Sequence, residues 1–255
     1  MQYNTRANII GLLALAKRPL KAVQLIRLAK CVGLSPGNVK SHLTRMVSEG
    51  TLRRNGTRRL ATYWPSHEQM VVVKGIQARL SEKREQSWNG HWLILTPGLP
   101  ANRSDRARLR AWLWFDGFRP VGPGVFVRPA WPLPWAKKRA LHYAGISSGT
   151  LFEGECIGDL KNLARLYDLP GLDSEARQIT EWIERRISPS PSPRKAFVEC
   201  MRVGGRVAHF IGHDPRLPDA LWGQRDWVKK LVRTFHKFEQ RLASKVESFV
   251  NNETQ

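Results

Sequence analysis

From Val23 to Ala29 apolar residues fall at helical spacing (Val23, Ile26, Leu28, Ala29), and Cys31-Val32-Gly33-Leu34 ends that run with a glycine able to take a positive φ. Ser35-Pro36 then supplies an N-cap and a first-turn proline, and the next helical pattern runs through Val47 to about Glu49, with Gly50 as its stop. On a repeat of about 3.6 residues, Val39, Leu43, Met46 and Val47 share one face. Gly37, Ser41, Thr44, Arg45 and Ser48 lie opposite, flanked by Asn38, Lys40 and His42. Thr51 to Arg54, Asn55-Gly56 and Thr57 to Trp64 follow as strand, type I′ turn and strand, with Arg53, Arg54, Arg58 and Arg59 crowding the tip. Two helices across so short a turn, followed by a basic hairpin, predict a winged helix-turn-helix over residues 1–66. The apolar stretch Ile9 to Ala16 reads as its first packing helix.

The pattern then changes twice. His67 to Glu85 reads as a connecting helix over 67–86, with Val71, Val72, Ile76 and Leu80 turned inward. Trp92 to Leu95 is a short apolar strand broken by Thr96-Pro97-Gly98, and Arg103 to Phe115 is a helix with arginines outward and Leu109, Trp112 and Leu113 inward. Gly117-Phe118-Arg119-Pro120 turns into a glycine-interrupted strand pair ending near Val127, Trp135 to Ala144 reads as a helix, and Thr150 to Cys156 as a last strand. Strand, helix, strand, strand, helix, strand over 87–157 is the ferredoxin-like order, whose small sheet offers an edge or face for pairing with a second copy. Residues 158–255 read as all-α: Asp159 to Tyr167, Ser174 to Ile187 capped by Asp173 or Ser174, Lys195 to Phe210, and Trp227 to Phe249. The alternating Ser and Pro of 188–193 form a stiff linker. The expected class is therefore α+β, in three domains.

Charge sharpens this picture. The 255 residues carry 42 Lys and Arg against 21 Asp and Glu, a formal charge of +21, and Met1 to Ser66 holds twelve of the cations with Glu49 as its only acid. Such a balance favours a polyanionic partner, most simply double-stranded DNA. The chain has no apolar run near about eighteen residues, so no membrane partner is expected. Cys31, Cys156 and Cys200 lie far apart without a CxxC pair, which disfavours a zinc module or disulfide framework and fits a cytoplasmic location.

Candidate chemistry follows from placement. Small polar residues at the start of the second helix allow close approach to base edges, so Asn38, Lys40, Ser41, Thr44 and Arg45 are the expected base readers, Arg45 as a bidentate guanine contact. Arg53, Arg54, Arg58 and Arg59 are expected on phosphates. Trp88, Trp92, Trp112, Trp114, Trp131 and Trp135 either stack bases or fill a small core, and core filling weighs more. Lys137-Lys138-Arg139 reads as a solvated helix face ahead of a phosphate site. Arg202, Arg206 and His209 align on one helical face and are the candidates for an anionic effector, against a solvated or interdomain face. His209, His213 and Asp214 have metal-ligand types but no evident fourth ligand, so neither a metal nor a cofactor is expected.

Several motifs carry a resemblance. Ser87-Trp88-Asn89-Gly90-His91-Trp92, then Gly117-Phe118 with Pro123-Gly124-Val125-Phe126-Val127-Arg128-Pro129, then Asp214-Pro215-Arg216-Leu217-Pro218-Asp219-Ala220-Leu221 with Asp226-Trp227, resemble in order the motifs of PaaX-like transcriptional regulators, the phenylacetate-degradation repressor family. The chain departs from the pattern at Thr96-Pro97, where the family has an Asp-containing strand end, and at Val228, where it has proline. The resemblance implies three domains, a homodimer and control of a catabolic operon, often relieved by an aryl-CoA thioester.

The expected function is thus a sequence-specific DNA-binding regulator, a dimeric repressor and not an enzyme. A non-specific or architectural nucleic-acid binder is the first alternative. A metal-dependent nuclease is the second, since the ferredoxin-like fold is shared with a small nuclease of CRISPR adaptation. Thr96-Pro97 offers no carboxylate for that chemistry, and Asp105 and Asp116 read as surface and cap residues.

Overall fold

The computed structural model describes residues 4–57, 60–80, 88–98, 100, 102–131, 140–141, 143, 148–157, 165–186, 191–222 and 226–255. The chain mixes helices with antiparallel sheet and divides into two compact units, one of Met1–Glu82, Gln178–Ile211 and Lys230–Gln255, the other of Lys83–Arg177 and Gly212–Lys229.

The first unit opens with α1 (Thr5–Ala16), β1 (Leu20–Lys21), α2 (Ala22–Cys31), α3 (Pro36–Ser48), β2 (Leu52–Asn55), β3 (Thr62–Pro65) and α4 (His67–Leu80). Ile9, Leu12, Leu13, Leu25, Leu28, Val39, Leu43 and Met46 are buried together, each contributing roughly 1.5–3 kcal/mol of apolar burial. β3 lies between β1 and β2, pairing antiparallel with both. The pairing Asn55↔Thr62 leaves residues 56–61 between the strands, so the hairpin loop is longer than the predicted two-residue turn. Gly56 bends at φ 82°, the Leu60 N–H returns to the Thr57 carbonyl at 3.2 Å, and burial of Ala61 fixes where β3 can begin.

The later helices also start away from their expected residues. α6 (Leu169–Glu184) begins before Ser174, because the Asp168 carboxylate accepts the Gly171 N–H at 3.1 Å and Pro170 fits a first turn that needs no donor. α7 (Pro193–His213) takes its first residue from the predicted linker, with the Ser192 hydroxyl accepting the Lys195 N–H at 3.3 Å. Ile187, the expected helix end, and linker residues 188–190 lie outside the described residues. α9 (Asp226–Glu253) buries Leu231, Phe235, Phe238, Leu242, Val246 and Val250, three or four residues apart, and the Phe197 and Phe249 rings meet at 5.0 Å.

On α4 the inward face is not the expected one. Val71, Val72, Ile76 and Leu80 are only half-buried, whereas Arg79 is 4 % exposed and donates Nη1 to the Ile211 carbonyl at 3.0 Å. The last carbonyls of α7 lack helical partners and carry its negative dipole end, so they accept a guanidinium that the hydropathy pattern would place outside.

The second unit contains β4 (His91–Thr96), α5 (Arg103–Phe115), β5 (Arg119–Gly122), β6 (Val125–Pro129), β7 (Thr150–Glu155) and the short α8 (Asp219–Trp222). The sheet order is β5-β6-β4-β7, every pair antiparallel, with β4 central and therefore nearly continuous in apolar residues. α5 starts where Asn102 Oδ1 accepts the Asp105 N–H at 2.7 Å. Its Leu109 and Leu113 pack with Leu93, Leu95, Phe118, Phe126, Ala140 and Tyr143. Gly117, at φ 82°, has room only for hydrogen, since a Cβ there would stand 2.9 Å from the Pro215 carbonyl oxygen. Most of the expected helices at 135–144 and 159–167, and all of Lys137-Lys138-Arg139, lie outside the described residues.

Candidate nucleic-acid interface

The turn from α2 to α3 is held by main-chain bonds: Gly33 at φ 86° donates to the Lys30 carbonyl at 3.1 Å and Leu34 to Ala29 at 3.0 Å. The Ser35 hydroxyl then accepts the Asn38 N–H at 3.3 Å and Pro36 occupies the first turn. Val39, Leu43 and Met46 are buried, which turns Lys40, Ser41, Thr44 and Arg45 outward, all exposed. Asn38 is exposed too, though its amide donates to the Thr5 hydroxyl at 3.3 Å.

Arg45 is placed by its own helix. Its Nη2 donates to His42 Nδ1 at 3.0 Å, and its Nε lies 3.9 Å from Glu49 Oε1. Glu49 is held more closely by Arg6, at 2.6 Å, and Arg6 also donates to the Thr51 hydroxyl at 2.8 Å. The acid of this segment is thereby spent on α1, leaving the Arg45 side chain 57 % exposed. Arg53 and Arg54 stand exposed on β2, opposite Trp64 and Tyr63 of β3. Arg58 and Arg59 lie outside the described residues.

The other candidates sit differently. Arg202 Nη1 donates to Glu199 Oε1 at 3.2 Å, the Arg206 guanidinium lies 5.0 Å from the Trp182 ring centre, and His209 is exposed. Among the described residues no group of three or more His, Cys, Asp or Glu side chains could hold a metal, and no helix is long and apolar enough to cross a membrane.

Within the sheet unit the first strand ends at Thr96, whose hydroxyl donates to the Thr150 carbonyl at 3.3 Å. Residues 85–164 match the family model described as the PaaX protein central Cas2-like domain. The matched stretch is less than half of the chain and resembles a PaaX-type central domain. A solved structure described as uncharacterized protein Rv0674 from Mycobacterium tuberculosis is similar over 98% of this chain and 100% of that one, with 20% sequence identity and a TM-score of 0.58, a likeness of fold. No curated protein matches the chain.

The sheet unit contains a polar core that the sequence did not announce. Asp116, read as a surface cap, is 1 % exposed; Tyr143 donates its hydroxyl to Asp116 Oδ2 at 2.7 Å and Arg128 Nη1 donates to the Asp116 carbonyl. Asp105 is the ion-paired surface residue, 2.7 Å from Arg108. Burial pushes the Arg128 guanidinium below its ordinary value, against the pull of Asp116. Arg119, also buried, is lowered to about 10 by desolvation; it lies 3.6 Å from the Trp114 ring centre and donates to the Phe118 carbonyl at 2.9 Å. Tyr167, raised to about 12 by burial, donates to the Gly117 carbonyl at 3.0 Å. Both arginines stay charged at neutral pH and bond to main-chain carbonyls, so they organise the turn around Asp116 and Gly117. The one signal available beforehand was an arginine interrupting the apolar run Val125 to Pro129.

Proposed function

We propose that the chain is a sequence-specific DNA-binding transcriptional regulator, its N-terminal segment a winged helix-turn-helix that inserts α3 into the major groove. The observation that carries this reading is the division of α3, with Val39, Leu43 and Met46 buried and Lys40, Ser41, Thr44 and Arg45 exposed on the other side, where the neighbouring acid Glu49 is held by Arg6. Beside it β2 presents Arg53 and Arg54, which suit phosphate contacts that fix register, with Arg58 and Arg59 assigned the same part. The PaaX-type domain supports a regulatory role and the ferredoxin-like reading of its sheet, which in turn suits a homodimer reading two half-sites. The rest of the reading is a cytoplasmic repressor of a catabolic operon, released by an anionic effector such as an aryl-CoA thioester at Arg202, Arg206 and His209. The domain bounds 1–66, 67–86, 87–157 and 158–255 belong to the same proposal.

The test is selection of bound duplexes from a random library at physiological salt. Enrichment of a two-fold symmetric motif with half-sites about one helical turn apart, or a multiple of it, supports the dimeric regulator. Tight binding without enrichment, collapsing as salt rises, favours a non-specific architectural binder.

A further inference from the structure

We infer that one face of α5 is a binding surface for a single nucleic-acid strand, with Arg103, Arg106 and Arg110 on its phosphates and Trp114 stacked on one of its bases. The four residues stand three, four and four positions apart, so they share one face of the helix, which Leu109 and Leu113 anchor to the core. Among the described residues Arg103, Arg106 and Arg110 have no ion-pair partner. Asp105, the acid of this helix, is held by Arg108 at 2.7 Å and by the Asn102 amide. The three arginines do not serve the helix either. Arg103 occupies the first turn, where the dipole disfavours a cation, and Arg106 and Arg110 are like charges one turn apart.

Trp114 is the one tryptophan among the described residues that the core does not take up: it is 46 % exposed, whereas Trp92 is buried and Trp88, Trp112 and Trp131 are half-buried. Its inner face is fixed by Arg119, which is 4 % exposed. The Arg119 guanidinium lies 3.6 Å from the Trp114 ring centre and 5.0 Å from that of Tyr167, and its Nη1 donates to the Trp114 carbonyl at 3.2 Å. A buried cation behind the ring orients it and leaves the other face to solvent. Stacking a base on a ring already held in place costs little side-chain entropy. From Arg103 to Arg110 the helix rises about 10 Å, roughly three nucleotides at about 3.4 Å each. A duplex offers phosphates but keeps its bases stacked inside, and an acidic protein segment offers charge without a base. An unpaired strand supplies both the phosphates and a free base face.

This surface belongs to the sheet unit and is measured on single strands, so it stands or falls apart from the duplex reading assigned to α3. The full chain is titrated by fluorescence anisotropy with an end-labelled oligothymidylate of about twelve nucleotides and with an abasic strand of the same length. Trp114→Leu is expected to weaken oligothymidylate about ten-fold or more and the abasic strand less than about two-fold, and Trp114→Phe, which keeps a ring, to restore most of the affinity. Arg110→Gln should weaken both strands alike and reduce the salt slope by about 0.7. Arg194→Gln removes an equal charge from an exposed position on α7 and should change either affinity less than about two-fold. Melting temperatures check each fold, and Arg110→Gln, at an exposed position, carries the test should Trp114→Leu melt early. Equal weakening of the two strands by Trp114→Leu overturns the inference, as does the absence of saturable binding or an equal loss in Arg194→Gln. A duplex or a polyglutamate of the same length that binds as tightly, and loses as much in Arg110→Gln, also overturns it, by assigning the arginines to paired DNA or to an acidic protein.

Discussion

The side-chain amide of Gln24 donates to the main-chain carbonyl of Thr254 at 2.5 Å, while its Oε1 accepts the Lys21 N–H at 2.8 Å. One buried side chain therefore closes the start of α2 and holds the residue just beyond α9. Arg18 adds a bond to the Thr254 hydroxyl, which itself donates to the Val250 carbonyl at 2.6 Å. Replacing Gln24 with Ala leaves a buried carbonyl and an N–H without their partners, and is expected to cost about 1–3 kcal/mol in urea unfolding. Thr254→Val keeps the carbonyl and loses only the hydroxyl, so its cost is expected to be smaller, under about 1.5 kcal/mol. Equal costs would assign the effect to the hydroxyl network and not to Gln24.

Arg45 and Arg53 are expected to separate base reading from phosphate holding. Arg45→Ala should cost on the order of 1–3 kcal/mol on the selected site and broaden base preference at one position of each half-site, whereas Arg53→Ala should weaken all duplexes alike and reduce the salt slope by about one. Binding curves on cognate and scrambled duplexes at several salt concentrations give both quantities. The native fold should tolerate either change, since both side chains are exposed.

Gly117→Ala forces a side chain into a positive φ and against the Pro215 carbonyl, and should destabilise by roughly 2–4 kcal/mol. Gly124→Ala shares the positive φ, 71°, but meets nothing within 4 Å, so it should cost only about 1 kcal/mol. The difference between their denaturant midpoints isolates the close approach.

Glu239 gives a pH-dependent prediction. Burial raises its pKa above the ordinary 4.5, against the lowering pull of His236, whose Nδ1 lies 3.7 Å from Glu239 Oε2, and of Lys17. The folded chain thus prefers the protonated acid, and the contribution is fully present below pH 4.5 and lost as pH rises through the folded value. Glu239→Gln should melt higher than the wild type at pH 7, and the advantage should vanish below pH 4.5. An advantage that persists in acid would point to packing in place of charge.

What the sequence made legible is what local periodicity records. α5 runs from Arg103 to Phe115 as read, because Asn102 caps it and Gly117 turns the chain out. The exposed face of α3 was legible for the same reason, from the spacing of Val39, Leu43 and Met46. β1 was not, since Leu20–Lys21 is too short to show a period and exists through pairing with β3. Burial of Arg79 and Asp116 was also hidden, because each depends on partners far along the chain, Ile211 and Tyr143.

The bond between Gln24 and Thr254 spans 230 residues. During translation at roughly 5–20 residues per second, α2 leaves the ribosome some ten to fifty seconds before its acceptor exists. For that interval Gln24 and Arg18 have no Thr254 to bind, so the start of α2 is closed only by the local bond from the Lys21 N–H to Gln24.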